Sequence, residues 1–325
     1  MNALLEVRDL KVAFPTGRRD EVFALRGVDL SLKRGERLGV VGESGAGKSM
    51  LAFAILDLIQ APGRIAGGTI RFDGQNLLAM SENEIRRIRG KRISMIFQDP
   101  MMTLNPVLTI GRQMAEALEA HGRISEREAR RRSVEMLKAV QVPQAEARYD
   151  AYPHELSGGL RQRVVIAIAL LAEPEIIIAD EPTTALDVTI QAEIMALLLR
   201  LCREREVGLI LITHDLAVVA EVTERLMIMY AGRCVEEGPT AEVIARPRHP
   251  YAAGLLASLP GHAEPGARLT QIPGSMPPLG ALPEGCAFRP RCEHAYARCH
   301  LERPALEADL PGRRVACYLP LGGRQ

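Results

Sequence analysis

Apolar residues near the N-terminus are spaced first as in strands and then as in a helix. Residues 4–14, 22–32 and 37–41 are rich in aliphatic and β-branched side chains, whereas the apolar positions over 48–59 recur at helical spacing. A short Gly-rich segment separates the third strand from this helix. The order strand, strand, strand, loop, helix predicts an α/β domain.

Further along the chain, the pattern predicts two amphipathic helices and two buried strands. Residues 110–120 and 126–139 have the period of helices with one apolar face. Residues 176–179 and 208–213 are short continuous apolar runs of the kind found in buried strands. With 325 residues, of which 47% are hydrophobic, the chain can bury one large core and carry a smaller appendage.

Charge and hydropathy restrict the classes of function. The chain has 41 basic and 40 acidic residues, so its charge gives no reason to expect a nucleic-acid partner or an anionic membrane as the main partner. The longest apolar run, 164–172, is much shorter than the roughly 20 residues that cross a bilayer. Charged residues near the N-terminus also interrupt any secretory signal. We therefore expect a protein that is neither secreted nor membrane-spanning.

The Gly-rich segment at the strand-to-helix junction has the chemistry of a phosphate-binding loop. It reads Gly-Glu-Ser-Gly-Ala-Gly-Lys-Ser over 42–49, and its candidate ligand residues are Gly42, Ser44, Gly45, Gly47, Lys48 and Ser49. Small residues let backbone amides close around phosphate oxygens at the N-terminus of a helix. Lys48 is expected to reach the β- and γ-phosphates of a nucleotide, and Ser49 is expected to hold Mg²⁺.

A pair of carboxylates complements this loop. Asp180 and Glu181 follow the apolar run 176–179 and so lie at the carboxyl end of a predicted strand. Asp180 is expected to complete the Mg²⁺ shell, and Glu181 to orient and deprotonate the attacking water. Alone the pair would be a weak signal, because acidic residues often terminate strands. Together with the phosphate loop it predicts nucleotide hydrolysis.

An eight-residue segment upstream of the carboxylates indicates the type of ATPase. Residues 156–163 read Leu-Ser-Gly-Gly-Leu-Arg-Gln-Arg, which resembles the signature of ATP-binding cassette (ABC) ATPases. The resemblance extends over about residues 4–245, where several motifs of the family follow in the right order. These are Phe14 at the position of an aromatic ring that stacks on adenine, Gln98 in the Q-loop, Asp187 at the end of the D-loop 185–187, and His214 as the switch histidine.

The resemblance implies a fold and a mode of action. The fold is α/β, a phosphate-loop ABC nucleotide-binding domain with a RecA-like core, an antiparallel β subdomain and a helical subdomain inserted at about 101–165. This domain would occupy residues 1–245, and a C-terminal extension would occupy 246–325. Two such domains pack head to tail, so that each ATP contacts the phosphate loop of one subunit and the signature of the other. The signature contacts would come from Ser157, Gly158 and Gly159, with Asp187 nearby.

Two of the family's motif residues, together with Glu181, are expected to take part in catalysis. Gln98 would bind Mg²⁺ or water, and His214 would contact the γ-phosphate. Leu160 departs from the commonest signature, which has Gln at its position. In the peptide-importer branch a hydrophobic residue here is typical of one of two paired ATPases. The resemblance therefore implies a heterodimer with a second, related ABC ATPase.

Two further segments resemble the peptide, dipeptide and nickel importer branch. They are Gln-Asp-Pro-Met-Met-Thr-Leu-Asn-Pro over 98–106 and His-Pro-Tyr over 249–251. The resemblance implies that hydrolysis of ATP to ADP and phosphate drives import of di- or oligopeptides. The chain would bind two transmembrane permease subunits peripherally, at the cytoplasmic face of the membrane, and an extracytoplasmic solute-binding protein would deliver the cargo.

Other assignments remain open at this point. Nickel or another small solute is the alternative cargo. A soluble ABC ATPase of DNA repair or translation is the alternative class, although such proteins generally have a long coiled-coil insertion or tandem cassettes, which this sequence lacks. Met101, Met102 and Leu104 fit a permease-binding groove and core packing equally well.

Proline and cysteine characterise the C-terminal part of the chain. The proline-rich sequence after Gly238 predicts an irregular tail without a large core. Four of the six cysteines lie in this tail, at Cys286, Cys292, Cys299 and Cys317. Cys202 and Cys234 fall in a predicted helix and a predicted strand and are expected to be small core residues.

The four tail cysteines are candidates for stapling a small fold. Disulfides are disfavoured in the reducing cytosol, where an ATPase is expected. Zinc sites usually have closely spaced ligand pairs, which are absent here, whereas iron–sulfur clusters accept wider spacings. The tail resembles the C-terminal region of peptide-importer ATPases, where such a motif is associated with a [4Fe–4S] cluster. The resemblance therefore implies this cluster, with Zn²⁺ or unliganded thiols as alternatives. Arg289 and Arg291, on either side of Pro290 before Cys292, are expected to stabilise thiolate charge.

Overall fold

The computed structural model describes residues 3–17, 20–183, 186–258 and 271–322, without the side chains of Met101, Met102 and Val188. The strands are β1 (Leu5–Pro15), β2 (Glu21–Leu32), β3 (Arg37–Val41), β4 (Arg64–Phe72), β5 (Gln75–Asn76), β6 (Ile93–Ile96), β7 (Ile176–Asp180), β8 (Gly208–Thr213), β9 (Arg225–Tyr230), β10 (Arg233–Pro239), β11 (Glu307–Leu310) and β12 (Arg313–Val315). The helices are α1 (Lys48–Ile55), α2 (Glu82–Ile88), α3 (Pro100–Thr103), α4 (Ile110–Glu119), α5 (Glu126–Ala139), α6 (Ala145–Tyr149), α7 (Gly158–Leu171), α8 (Val188–Glu204), α9 (Leu216–Val222), α10 (Thr240–Ala245), α11 (Pro250–Ala257) and α12 (Ala297–Leu301). In the part of the chain that is described, no helix is both long and apolar enough to cross a bilayer.

The first of two compact units consists of residues 1–32, 37–78 and 212–325. It contains an antiparallel sheet in the order β2-β1-β4-β5 and a second row of strands in the order β11-β12-β10-β9-β3. In that row β3 is parallel to β9, and the remaining neighbours are antiparallel. Residues 38–41 of β3 are buried, so the loop that follows starts from a fixed position in the core.

The second unit consists of residues 33–36 and 79–211. In it β6 is parallel to β7, and α5 packs on α4, α6 and α7. Helices α4 and α5 confirm the two predicted amphipathic helices. Each begins at a hydroxyl cap: Thr109 accepts a hydrogen bond from the N–H of Arg112, and Ser125 accepts one from Glu128.

The C-terminal extension is more regular than its proline content predicted. It contains α11 and α12, and β12 pairs with β10, so that the extension adds two strands to the row in the first unit. The predicted irregular tail is therefore wrong in this respect. Prolines interrupt long helices but do not prevent short elements at a sheet edge. Helix α1 also ends earlier than the predicted 59, because the backbone turns left-handed at Asp57, with a φ of 52°.

A buried carboxylate attaches the extension to the sheet. Glu236 on β10 is 0% exposed, and its oxygens accept hydrogen bonds from the backbone N–H groups of Arg248 and His249. They also accept one from the guanidinium of Arg313 on β12, which is 3% exposed. Burial raises the pKa of Glu236, and these hydrogen bonds oppose the rise. A buried charge is tolerated only when it is paired in this way.

An aromatic cluster completes the attachment. The rings of Tyr230 on β9, Tyr251 on α11 and Phe288 meet with centroids 4.6–5.4 Å apart. Tyr251 is 0% exposed and Phe288 is 4% exposed. Edge-to-face contacts of this kind add to the stabilisation from burying the rings.

His249 should make the extension sensitive to acid. It is 2% exposed, its Nδ1 accepts the N–H of Tyr251 at 3.0 Å, and burial lowers its pKa from 6.5 to about 4. The unfolded chain binds a proton that the folded chain excludes, so this stabilisation is complete above pH 6.5 and is lost as the pH falls towards 4. Between pH 8 and pH 5 the free energy of unfolding should fall by about 2 kcal/mol from this group.

Urea unfolding of wild type and of His249→Asn at both pH values measures the effect. Asn can still cap a helix, so the variant should lose this part of the pH dependence even if it is less stable overall. His154→Asn, at an exposed position, is the control and should keep the wild-type dependence. An unchanged pH dependence in His249→Asn would contradict a neutral buried His249.

Candidate functional site

Glycines shape the loop between β3 and α1. Gly45 and Gly47 have φ values of 80° and 100°, which other residues rarely adopt. A Cβ on Gly42 would lie 2.3 Å from the carbonyl oxygen of Met229, so no side chain fits there. Ser44 and Gly45 are exposed at the tip. The loop therefore has the left-handed turns and the bare backbone of an anion cradle, at the N-terminus of a helix.

The two polar residues that begin α1 lie at this loop. Lys48 is 6% exposed, and its Nζ donates to the carbonyl oxygens of Gly42 at 2.8 Å and Glu43 at 3.1 Å. Ser49 is half-buried in the first turn. The ammonium group is thus within reach of an anion that the loop would bind.

Phe14 lies near the end of β1 and is half-buried. Its ring passes close to the backbone at Gly63, where a Cβ would be 2.5 Å from Cε1 of the ring. The close approach of this backbone therefore restricts the orientation of the ring. Its partial exposure leaves aromatic surface on which a planar base could stack.

In the second unit, the structure brings Gln98 and Glu181 together. Gln98 follows β6 and Glu181 follows the neighbouring parallel strand β7, so both lie at the carboxyl ends of strands, where α/β proteins bind ligands. Nε2 of Gln98 donates to Oε2 of Glu181 at 3.0 Å. Glu181 has a left-handed φ of 46°, a strained conformation that clusters at functional sites. Asp180, the last residue of β7, is 3% exposed.

The signature segment forms the N-terminus of α7. Ser157 is the N-cap, and its Oγ accepts from the N–H of Leu160 at 3.4 Å. Ser157 and Gly158 are exposed, whereas Gly159 is buried and a Cβ there would lie 3.0 Å from Ile190. The start of a 14-residue helix therefore presents backbone amides to solvent, which suits an anion from another molecule.

The remaining motif residues lie at strand or helix ends. Asp187 is exposed at the N-cap position of α8. His214 is exposed directly after β8, while the next residue, Asp215, caps α9 by accepting from the N–H of Ala217 at 2.9 Å. Leu104 is 3% exposed, so it packs in the core rather than facing a groove. Ala185 of the D-loop and the side chains of Met101 and Met102 lie outside the described parts of the chain.

The sequence did not predict that Tyr251 and Arg291 contact Glu43 of the phosphate loop. Glu43 donates its backbone N–H to the hydroxyl of Tyr251 at 2.9 Å, and its carboxylate is bound at 2.8 and 3.0 Å by Arg291. Burial alone would lower the pKa of Arg291, but its hydrogen bonds to Glu43 and Tyr230 raise it overall. No local pattern indicates this contact, because Glu43 and Arg291 are 248 positions apart.

The four tail cysteines line one narrow cavity in the first unit. Burial raises the pKa of Cys286 and Cys292, and it raises that of Cys317 to about 11. Nearby backbone N–H groups oppose the rise: those of Phe288 and Arg289 at Cys286, that of His294 at Cys292, and that of Leu319 at Cys317. Cys202 and Cys234 are 1% and 6% exposed, on α8 and β10, which confirms them as core residues.

The cavity has the thiol side chains that could bind a metal, but they are too far apart to form a closed metal site. Within the described residues, no three His, Cys, Asp or Glu side chains are arranged tightly enough to hold a metal ion. Four cysteines nevertheless line one space, and backbone amides near three of them favour the thiolate, as around iron–sulfur and zinc sites.

The predicted role of the two arginines near Cys292 is wrong. Arg291 pairs with Glu43, and Arg289 donates to the carbonyl oxygens of Glu284 and His300. Because both guanidinium groups are committed to oxygen acceptors, the backbone amides are the groups that stabilise negative charge on sulfur.

Known proteins resemble both parts of the chain. The family model "ABC transporter" matches residues 25–184, and "Oligopeptide/dipeptide transporter, C-terminal region" matches residues 235–299. The oligopeptide transport ATP-binding protein OppD of Salmonella typhimurium is 50% identical over 98% of this chain and 95% of its own length. The dipeptide transport ATP-binding protein DppD of Escherichia coli is 46% identical over 98% and 97%.

A solved structure shares the fold. The dimeric, post-hydrolysis structure of the ATP-binding cassette MJ0796 with ADP and Pi matches 73% of this chain and 98% of that protein, with 31% identity and a TM-score of 0.65. The α/β cassette fold predicted from the motifs is therefore confirmed. The chain belongs to the ABC transporter ATPase family, and it carries the C-terminal region of the family's oligopeptide/dipeptide transporters.

Proposed function

We propose that this chain is the ATP-hydrolysing subunit of an ABC importer for di- and oligopeptides. The observation that carries the proposal is its similarity, over 98% of its length, to proteins named as oligopeptide and dipeptide transport ATP-binding proteins. The cassette fold alone would not support a cargo, since many functions share one fold. The match to the C-terminal region of such transporters supports the peptide branch.

The proposed partners are two transmembrane permease subunits, with the chain bound peripherally at the cytoplasmic face of the membrane. An extracytoplasmic solute-binding protein would deliver the peptide. In this proposal residues 1–245 form the nucleotide-binding domain, its helical part at about 101–165 contacts the permeases, and 246–325 form the extension.

ATP would be held by the phosphate loop of this chain. The amides of residues 42–47 and the ammonium of Lys48 bind the phosphates, Ser49 and Asp180 hold Mg²⁺, and Phe14 stacks on adenine. The glycine conformations of the loop and the partial exposure of Phe14 support these roles.

Glu181 would act as the general base. Its carboxylate takes a proton from water while the water oxygen attacks the γ-phosphorus, and the bond to the bridging oxygen breaks to leave ADP. The hydrogen bond from Gln98 supports this role because it orients the carboxylate, and Gln98 would also bind Mg²⁺ or the water. His214 would contact the γ-phosphate.

A second, related ABC ATPase would pair with this chain to form a heterodimer. Ser157, Gly158 and Gly159 would bind the ATP held by that partner, with Asp187 nearby. The solvent-facing N-terminus of α7 supports this role, since it lies on a chain that already has a phosphate loop of its own. ATP would favour the closed dimer because it contacts both subunits only there.

The extension would hold a [4Fe–4S] cluster through Cys286, Cys292, Cys299 and Cys317, with Zn²⁺ as the alternative. The cavity that the four cysteines share and the backbone amides that favour their thiolates support a cluster, which would staple a region that has little apolar core of its own.

Glu181→Gln tests the general base and the cargo together. Gln keeps a polar side chain opposite Gln98 but cannot take a proton, so ATP binding should persist. In vesicles that contain the permeases and the partner ATPase, ATP hydrolysis should fall at least about 100-fold and uptake of labelled oligopeptide should stop. Glu173→Gln is the matched control, because Glu173 precedes β7 and also has a left-handed φ, of 56°.

The experiment tests the role of Glu181 and the identity of the cargo independently. Rapid steady-state hydrolysis by the Glu181→Gln complex would contradict the role of Glu181. ATP-dependent uptake of nickel without peptide would contradict the cargo and leave the ATPase assignment intact.

Metal analysis tests the cluster. The full chain purified without oxygen should contain about four iron and four sulfide per chain and be brown. Cys292→Ser should lose this iron, whereas Cys202→Ser, which alters a cysteine outside the cavity, should keep it. Stoichiometric zinc in a colourless protein would support the alternative, and a metal-free folded chain would contradict both.

A further inference from the structure

The C-terminal extension contacts the phosphate loop through a bidentate ion pair between Arg291 and Glu43. Nη1 of Arg291 lies 2.8 Å from Oε2 of Glu43, and Nη2 lies 3.0 Å from Oε1. The side chain of Arg291 is 5% exposed and that of Glu43 is 27% exposed. Because the pair is largely shielded from water and has fork geometry, it is stronger and more directional than an exposed ion pair.

Other contacts from the extension fix the same stretch of loop. The hydroxyl of Tyr251 accepts the backbone N–H of Glu43 at 2.9 Å, so this residue is held at both its main chain and its side chain. The methyl carbon of Met276 lies 2.9 Å from the point that a Cβ on Gly45 would occupy. The extension therefore contacts the loop at two positions, Glu43 and Gly45.

The charge of Glu43 gives this contact a consequence for the ligand. A carboxylate in a loop that binds phosphates repels them, because like charges are close in a partly buried site. Arg291 offsets that charge and keeps the carboxylate in one position.

We propose that Arg291 is a positioning residue of the ATP site, which holds the phosphate loop through Glu43 and couples nucleotide binding to the cysteine cavity. This inference rests on the proposed ATP site.

The backbone explains the link to the cavity. Arg291 lies in a short helical turn in which the N–H of Arg289 donates to the carbonyl of Cys286 at 3.1 Å and that of Arg291 donates to Phe288 at 2.9 Å. The next residue is Cys292. A change in the ligand or oxidation state of the cysteines would therefore move the backbone of Arg291, whose side chain binds Glu43 in the loop. By thermodynamic reciprocity, a nucleotide that fixes the loop also restrains the cysteines.

A double-mutant cycle tests the ion pair in the full chain. The probe is the non-hydrolysable analogue AMP-PNP with Mg²⁺, and its Kd is measured by calorimetry. Arg291→Gln leaves the Glu43 carboxylate uncompensated and should weaken binding about tenfold. Glu43→Gln removes the repulsive charge and should change the Kd by less than about threefold, and the double variant should recover to within about threefold of wild type.

Asp309→Asn is the matched control. Asp309 is bound by Arg248 in a similar bidentate pair within the same unit, at 2.6 and 3.1 Å, without contacting the loop. It should leave the Kd unchanged. Additive losses in the double variant, or equal losses in Arg291→Gln and Asp309→Asn, would overturn the proposal in favour of a general stabilising role.

Cysteine reactivity gives a second readout of the coupling, which does not depend on the Kd values. In the full chain from which any bound metal has been removed with a chelator, alkylation of Cys286 and Cys292 by iodoacetamide, followed by peptide mass spectrometry, should slow about fivefold or more when AMP-PNP is bound to the wild-type protein. The same nucleotide, at a concentration that saturates Arg291→Gln, should have little effect in that variant. Equal protection in the two chains would overturn the coupling.

Lys48→Ala separates this inference from the proposed ATP site. If Lys48→Ala binds AMP-PNP as tightly as wild type, the phosphate-loop assignment itself is wrong. If Lys48→Ala loses binding while Arg291→Gln does not, only the role of Arg291 is wrong.

Discussion

The buried carboxylate of Glu236 is the interaction on which the C-terminal half of the first unit depends. It accepts hydrogen bonds from two backbone N–H groups just before α11 and from the guanidinium of Arg313 on β12. One side chain thus joins β10, the start of α11 and β12. A carboxylate that is 0% exposed must be satisfied in this way, because leaving any of these bonds unmade would cost several kcal/mol. Once it is satisfied, α11 and the β11–β12 pair have fixed positions against β10.

The aromatic cluster connects this part of the extension to the phosphate loop. Tyr251 packs against Tyr230 and Phe288, and its hydroxyl accepts the N–H of Glu43. The loop is thus constrained from two directions. On one side its glycines allow close contact with β9, where the carbonyl of Met229 leaves no room for a Cβ at Gly42. On the other side the extension holds it. A loop that is organised before the ligand arrives loses less entropy on binding.

The cysteine cavity is organised by backbone rather than by charged side chains. Arginines near a thiol suggest stabilisation of the thiolate, but Arg289 and Arg291 both have oxygen acceptors. Burial raises the pKa of these thiols, to about 11 at Cys317, and nearby backbone amides oppose the rise.

The sequence by itself determined the elements and residues whose chemistry is local. The order of β3, loop and α1, the amphipathic helices α4 and α5, and the acidic end of β7 could all be predicted, because each depends on residues close together along the chain. The strands and helices within the proline-rich tail could not, since β12 is stabilised by pairing with β10 rather than by its own propensity. Only the tertiary structure decided that Gln98 meets Glu181 across 83 positions and that Arg291 meets Glu43 across 248. Such contacts follow from how distant strands and turns are ordered in space, and the local pattern of apolar and polar residues carries no information about that order.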